Sequence, residues 1–286
     1  MVTVPRSGAN RSARRRGGTR AGRTTNRGPL LILIPAGLGV AFLIVPLIAL
    51  LVRAPWHGMG RLLSDNQVLT ALRLSLECAS AAMLASLVLG VPLAWVLARS
   101  SLPGVGLLRA LVTLPLILPP VVGGLALLLA FGRNGLLGRY LDRWFGLTLP
   151  FTTPGVIVAE TFVAMPFLVV TVEGALRSAD RDFEEAAATL GASRLTVFRR
   201  ITLPLIAPSL VAGSVLCWAR ALGEFGATIT FAGNYPGTTQ TMPLAVYNAL
   251  ETDPEAAIAL SLVLLLVAVI VLVGLRDRWL RAGSVP

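Results

Sequence analysis

Residues 177–204 read RSADRDFEEAAATLGASRLTVFRRITLP, a long polar segment set between apolar stretches. How it divides into helix, turn and helix decides how the rest of the chain is arranged. Asp180 and Asp182 stand where a helix begins, a place that favours negative side chains because the first N–H groups are unpaired and the helix dipole is positive there. Phe183, Ala187 and Leu190 follow at i, i+4 and i+7, one apolar stripe on an otherwise charged helix. Ala186, Ala187 and Gly191 keep that surface shallow. Gly191 is the residue that most easily takes a left-handed stop, and Ser193 can cap a second short helix ending near Arg200. The segment predicts a smooth contact face for another protein. An amphipathic helix resting on a membrane, or a solvated connector, accounts for the same polarity.

Outward from this segment the chain is apolar: 55% of its 286 residues are hydrophobic and the mean hydropathy is +0.77. That composition excludes a soluble domain and predicts an integral membrane protein. All 25 basic residues are arginine. A phosphate-binding Walker loop needs its lysine, so the chain is no standard P-loop ATPase and any ATP chemistry must come from a partner. Cys78 and Cys217 both fall inside apolar runs and do not suggest a disulfide framework. His57 is the sole histidine, which argues against a His-based metal site or catalytic dyad.

Six spans are expected, giving an all-α membrane protein. The first covers 30–52 and is too long for a signal-peptide core of roughly 7 to 15 residues. The others run over about 71–98, 107–131, 155–176, 206–231 and 256–275. Pro115, Pro119 and Pro120 should kink or locally unwind the third, and the Gly-rich stretch after it reads as loop. A polar stretch from Ala232 to Ala256 separates the fifth span from the sixth. Residues 1–29 form an Arg-, Gly- and Ser-rich tail without hydrophobic periodicity, residues 69–275 the main membrane domain, and 276–286 a second tail.

Six spans put both termini on one side. The two tails, Arg99, Arg109 and the arginines of the 177–204 segment place 18 arginines on that face, against Arg53, Arg61, Arg73, Arg133, Arg139 and Arg143 on the other. The richer face is expected to be cytoplasmic. Eight of those arginines crowd the first 29 residues; beside a membrane span such a tail reads as topological rather than as a nucleic-acid arm, so no nucleic acid is expected as a partner.

Charged residues inside the spans carry the remaining signal. Arg220 and Glu224 stand one turn apart in the fifth span, and one such charge near the bilayer centre costs about 2.5 to 3.5 kcal/mol on insertion scales. The pair either neutralises itself in helix packing or borders a translocation path or its gate. Arg73 and Glu77 repeat the spacing near the outer end of the second span, and Glu160 is a lone acid in the fourth. Asn234, Thr239, Gln240 and Thr241 offer amides and hydroxyls without an acid, which suits passage of a dianion, and suits a solvated loop as well. No arrangement resembles a nucleophile with its base or a ligand set: no catalytic, cofactor-binding or metal-binding residues are expected.

Glu185, Ala186 and Ala187, then Gly191, then Ile201, Leu203 and Pro204 resemble the EAA loop of membrane permeases in ATP-binding-cassette (ABC) importers. Residues 219–247, ARALGEFGATITFAGNYPGTTQTMPLAVY, are similar to the signature region of molybdate-importer permeases, GEFGA being shared with sulfate and tungstate relatives. The resemblance implies the type I importer permease fold in the cytoplasmic membrane. It implies that Glu185, Ala186, Ala187, Leu190 and Gly191 couple the chain to a separate ABC ATPase subunit. It also implies an extracytoplasmic molybdate-binding protein and a second permease copy, as a homodimer, for partners, and a transport subunit rather than an enzyme. A secondary transporter would need coupling carboxylates and internal repeats, and a channel would need no docking helix.

Overall fold

The computed structural model describes residues 30–282, with no strand among them. Among the described residues, those up to Ala49 fall in one unit and those from Leu50 onward in another. The first unit is mostly α1 (Leu30–Val52), which carries Pro35 and Pro46 inside an otherwise apolar helix. The basic tail ahead of it lies outside the described residues.

The second unit contains twelve helices in chain order: α2 (Met59–Leu63), α3 (Asn66–Arg99), α4 (Val105–Ile117), α5 (Pro120–Phe131), α6 (Gly138–Phe145), α7 (Thr153–Ser178), α8 (Asp182–Thr189), α9 (Arg194–Val197), α10 (Leu203–Leu222), α11 (Gly226–Ala232), α12 (Met242–Thr252) and α13 (Pro254–Ala282). By length and apolarity five helices among the described residues can cross a membrane, or six if the bent pair α4 and α5 counts as one. Side chains mark the helix starts. Asp65 accepts the amide of Gln67 at the head of α3, and Thr152 that of Gly155 at the head of α7, satisfying donors that a helix start leaves open.

The core is α3 packed on α7 and α10. Ala79, Ala82, Ala94, Ala164, Leu168, Val172 and Cys217 meet there, all fully buried. Small residues set the spacing: a Cβ on Gly90 would lie 3.1 Å from Val169, and one on Gly213 3.1 Å from Thr171. In a membrane, close backbone approach of this kind replaces the hydrophobic drive that lipid does not supply.

The third span differs from a kinked rod. Pro119 and Pro120 remove two successive amides, and the chain direction bends by 118° between α4 and α5. The pair nevertheless connects the two ends of the bundle. Arg109 of α4 binds Glu173 near the end of α7 at 2.8 Å, whereas Leu127 and Phe131 of α5 pack with Ala159 and Leu149 beside the start of α7.

The fifth span also needs correction. It is not one helix over 206–231: α10 stops at Leu222, and α11 starts at Gly226. The second short helix of the 177–204 segment does not end near Arg200. It passes through a π turn, Phe198–Thr202, straight into α10. The wider turn accommodates Pro204, which has no amide to offer the regular ladder and whose ring crowds the carbonyl of residue 200. Two stretches expected as loop contain helices, α6 and α12, and α13 continues past the expected end at Leu275 to Ala282. In α12 the apolar side chains Met242 and Leu244 are fully buried against the bundle, which a stretch judged by its polar neighbours conceals.

Candidate functional site

Two places carry the functional signals, at opposite reaches of α10. The first is the 177–204 segment. Asp180 accepts the amide of Asp182 at 3.0 Å to open α8, and Asp182, Glu184 and Glu185 fill its first turn. The helix ends in Gly191 at φ +84°, the left-handed region in which a side chain is strained. A Cβ on Gly191 would meet nothing within 4 Å, so the demand within this chain is conformational. Ser193 then accepts the amide of Thr196 at 3.3 Å and opens α9.

The first helix, the left-handed stop at Gly191 and the Ser193 cap are present as expected, and only the end of the second helix differs. What it presents is an uncovered apolar face. Leu190 is 89% exposed and Phe183 60%, with Leu195 exposed beside them. Glu185, Ala186 and Gly191 are exposed as well, and Ala187 is half-buried. Sequence reasoning missed Glu184, whose carboxylate turns back into the bundle to Arg99 and Thr202. Nothing local marks it, because Arg99 is 85 residues away in the chain.

The second place is the interruption between α10 and α11. Oε2 of Glu224 binds Nη1 of Arg220 at 2.6 Å, and Oε1 accepts the amide of Ala227 at 2.8 Å. Glu224 is 1% exposed and the Arg220 side chain 28%. The predicted ion pair is therefore present, but it spans a helix break. Arg220 lies beside an exposed face of α10 made by Leu216, Ala219 and Gly223. Glu160 is buried nearer the middle of α7, its Oε2 without a hydrogen-bond partner among the described residues.

The stretch 234–241 is folded on itself. Thr239 is fully buried and accepts the amide of Tyr235 at 2.9 Å. The side-chain amide of Asn234 donates to Asn248 at 2.8 Å. Thr241 is buried with its hydroxyl unpartnered among the described residues. Gln240 borders a recess of about 460 Å³ that Asp65, Glu251 and Asp253 also line. Three carboxylates make that recess a poor host for a dianion.

The pattern of the family described as "Binding-protein-dependent transport system inner membrane component" matches residues 86–282. The chain belongs to that family. The match takes in the 177–204 segment, the α10–α11 break and the helices from the last part of α3 onward. Among family relatives, the "Molybdenum transport system permease protein ModB" of Mycobacterium tuberculosis is 50% identical over 250 residues, covering 87% of this chain and 94% of its own length. The "Sulfate transport system permease protein CysT" of Salmonella typhimurium is 38% identical over 245 residues, covering 84% and 88%. Among solved structures, a bacterial ABC transporter "involved in the import of the acidic polysaccharide alginate" superposes with a TM-score of 0.68 at 20% identity over 88% of this chain and 94% of its own. A second structure of an alginate transporter, in complex with a "pentasaccharide-bound periplasmic protein", gives 0.67 at 21% identity over 85% and 90%. These likenesses establish the ABC importer permease fold. The relatives are transport subunits, not enzymes.

Proposed function

We propose that this chain is the permease subunit of an ATP-driven molybdate importer. The observation that carries the reading is 50% identity, across 94% of its length, to a protein named for molybdenum transport. Identity to the sulfate permease is 38%, which makes sulfate the second substrate to test.

In this reading the exposed stripe of Phe183, Leu190 and Leu195, with Glu185, Ala186, Ala187 and Gly191 beside it, docks onto a separate ABC ATPase. An apolar face of that kind on a charged helix calls for a protein groove. A second copy of the chain completes the pathway, and the exposed face of α10 next to Arg220 supports placing the path along it. An extracytoplasmic binding protein delivers the anion at the far end. Arginine asymmetry supports a cytoplasmic EAA end and cytoplasmic termini, in a multi-pass protein of the cell membrane. ATP binding then closes the two coupling segments together, and the pathway alternates between outward and inward access. Arg220 supplies the positive charge that meets the dianion, with Glu224 holding it in place. Asn234, Thr239, Gln240 and Thr241 serve as scaffold at the outer end of the path.

Deleting the gene and following molybdenum accumulation at low external molybdate tests this. High-affinity uptake should disappear and return with the wild-type chain. Unchanged molybdenum with a sulfate-uptake defect would assign the chain to sulfate.

A further inference from the structure

Glu184 precedes the EAA residues by one position and points the other way. Its Oε1 accepts Nη2 of Arg99 at 2.9 Å and the hydroxyl of Thr202 at 3.0 Å. Arg99 closes α3 and Thr202 closes the π turn that runs into α10. Among the described residues no other α8 side chain has a hydrogen bond or ion pair to another element. The Arg99 side chain is 9% exposed, and Thr202 is fully buried. Among the described residues Arg99 has no second carboxylate, and its Nε is buried without a partner.

We propose that Glu184 is the positioning residue through which displacement of the coupling segment is passed to α3 and α10 together. The inference rests on the permease reading above. α8 is eight residues long and joined to α7 by the short link at 179–181, a connection that leaves it free to pivot. One carboxylate oxygen shared by a guanidinium and a hydroxyl removes that freedom, since charge-assisted bonds in a poorly hydrated site are strong and directional. Beyond Thr202 the helix α10 is continuous from Leu203 to Leu222. A push on α8 therefore arrives at the Arg220–Glu224 break as movement of a rod. The same push reaches the end of α3, which Arg109 ties to α4 by donating to the carbonyl of Leu97 at 3.1 Å.

The test uses the full complex with its ATPase and binding protein, in liposomes. Glu184→Gln keeps the size and the acceptor for Thr202 but removes the charge that Arg99 needs. The ATPase should still copurify and hydrolyse ATP, while molybdate moved per ATP falls about tenfold, the scale of an ordinary coupling free energy. Nitroxides at Ala188→Cys and Ser101→Cys, carried by one permease copy of the complex with the other copy cysteine-free, in a Cys78→Ser, Cys217→Ser background, should give one narrow distance in the wild type and a broad distribution in Glu184→Gln. The double reversal Arg99→Glu with Glu184→Arg should narrow it again, and neither single reversal should. An unchanged transport ratio with an unchanged distance overturns the proposal. So does loss of ATPase from the complex, which would make Glu184 part of the docking face. If the wild-type complex moves no molybdate, the substrate reading fails; the distance measurement needs no substrate and still decides the tether.

Discussion

Arg220 Nη1 lies 2.6 Å from Oε2 of Glu224 although the two residues stand on either side of the point where α10 ends. The other oxygen of Glu224 accepts the amide of Ala227 in the first turn of α11. One carboxylate thus bridges the break. Each charge also sits where helix dipoles favour it, a cation in the last turn of α10 and an anion at the head of α11.

Glu224→Gln leaves Arg220 without its counter-charge in a mostly buried place. Removing one partner of a fully buried pair costs about 3 to 5 kcal/mol; because Arg220 keeps partial access to water, about 2 kcal/mol is expected. Glu160→Gln breaks no ion pair and leaves no buried charge unpaired, so it should cost less than Glu224→Gln. Thermal unfolding of the detergent-purified chain compares the two. Equal losses at both positions would mean that the bridge contributes nothing beyond filling space.

Gly191 needs its conformation rather than its space. At φ +84° with room for a Cβ, asparagine should be tolerated and valine should not, since a left-handed position costs a β-branched residue most. ATPase copurification should persist in Gly191→Asn and collapse in Gly191→Val. Gly191→Asp adds a charge that a docked interface would have to desolvate without a partner, and it should also lose the ATPase. Normal copurification and uptake in Gly191→Asp would remove this turn from the docking surface.

Gly124 presents the opposite case. A Cβ there would lie 2.7 Å from Cβ of Thr230 and 2.8 Å from the carbonyl oxygen of Ala227, so α5 and α11 would have to separate. Gly124→Ala should cost about 1 to 3 kcal/mol as overpacking. Gly174, helical with nothing within 4 Å of a Cβ, should instead gain about 0.5 to 1 kcal/mol as alanine. Unfolding midpoints of the two variants should move in opposite directions.

The fold was legible wherever a local pattern decides the outcome: spans from apolar runs, the head of α8 from Asp180, its stop from Gly191. The break in α10 was not. Residues 206–231 read as one apolar run, and Gly223 alone does not stop a helix; Glu224 turning to cap α11 does, and that depends on how α11 seats against α5 and α7. Glu184 was hidden for a related reason, because its partners come from the ends of α3 and α10. In the 234–241 stretch the amides and hydroxyls looked available to an anion, but Thr239 and Asn234 are already used in holding turns.

Sidedness can be read at two exposed positions. Ala188→Cys in α8 should react with a thiol reagent only after the membrane is opened, and Pro236→Cys should react in intact cells, in a chain lacking Cys78 and Cys217. The expectation follows from the arginine asymmetry. The reverse pattern would put the coupling segment outside, away from ATP.

Selectivity is expected to reside outside this chain. Molybdate and tungstate share charge and shape and nearly share size, while sulfate is smaller. Only a difference in interaction free energy can separate them. Apart from Arg220, the groups assigned to the path and its outer end are neutral donors and acceptors, and a cation attracts all three dianions alike. Tungstate should therefore compete strongly for molybdate uptake by whole cells and sulfate weakly, because the binding protein makes the choice. Arg220→Gln should lower the rate for every anion without changing their order. Were Arg220→Gln to let sulfate compete as well as tungstate, the permease would be choosing the anion at the break itself.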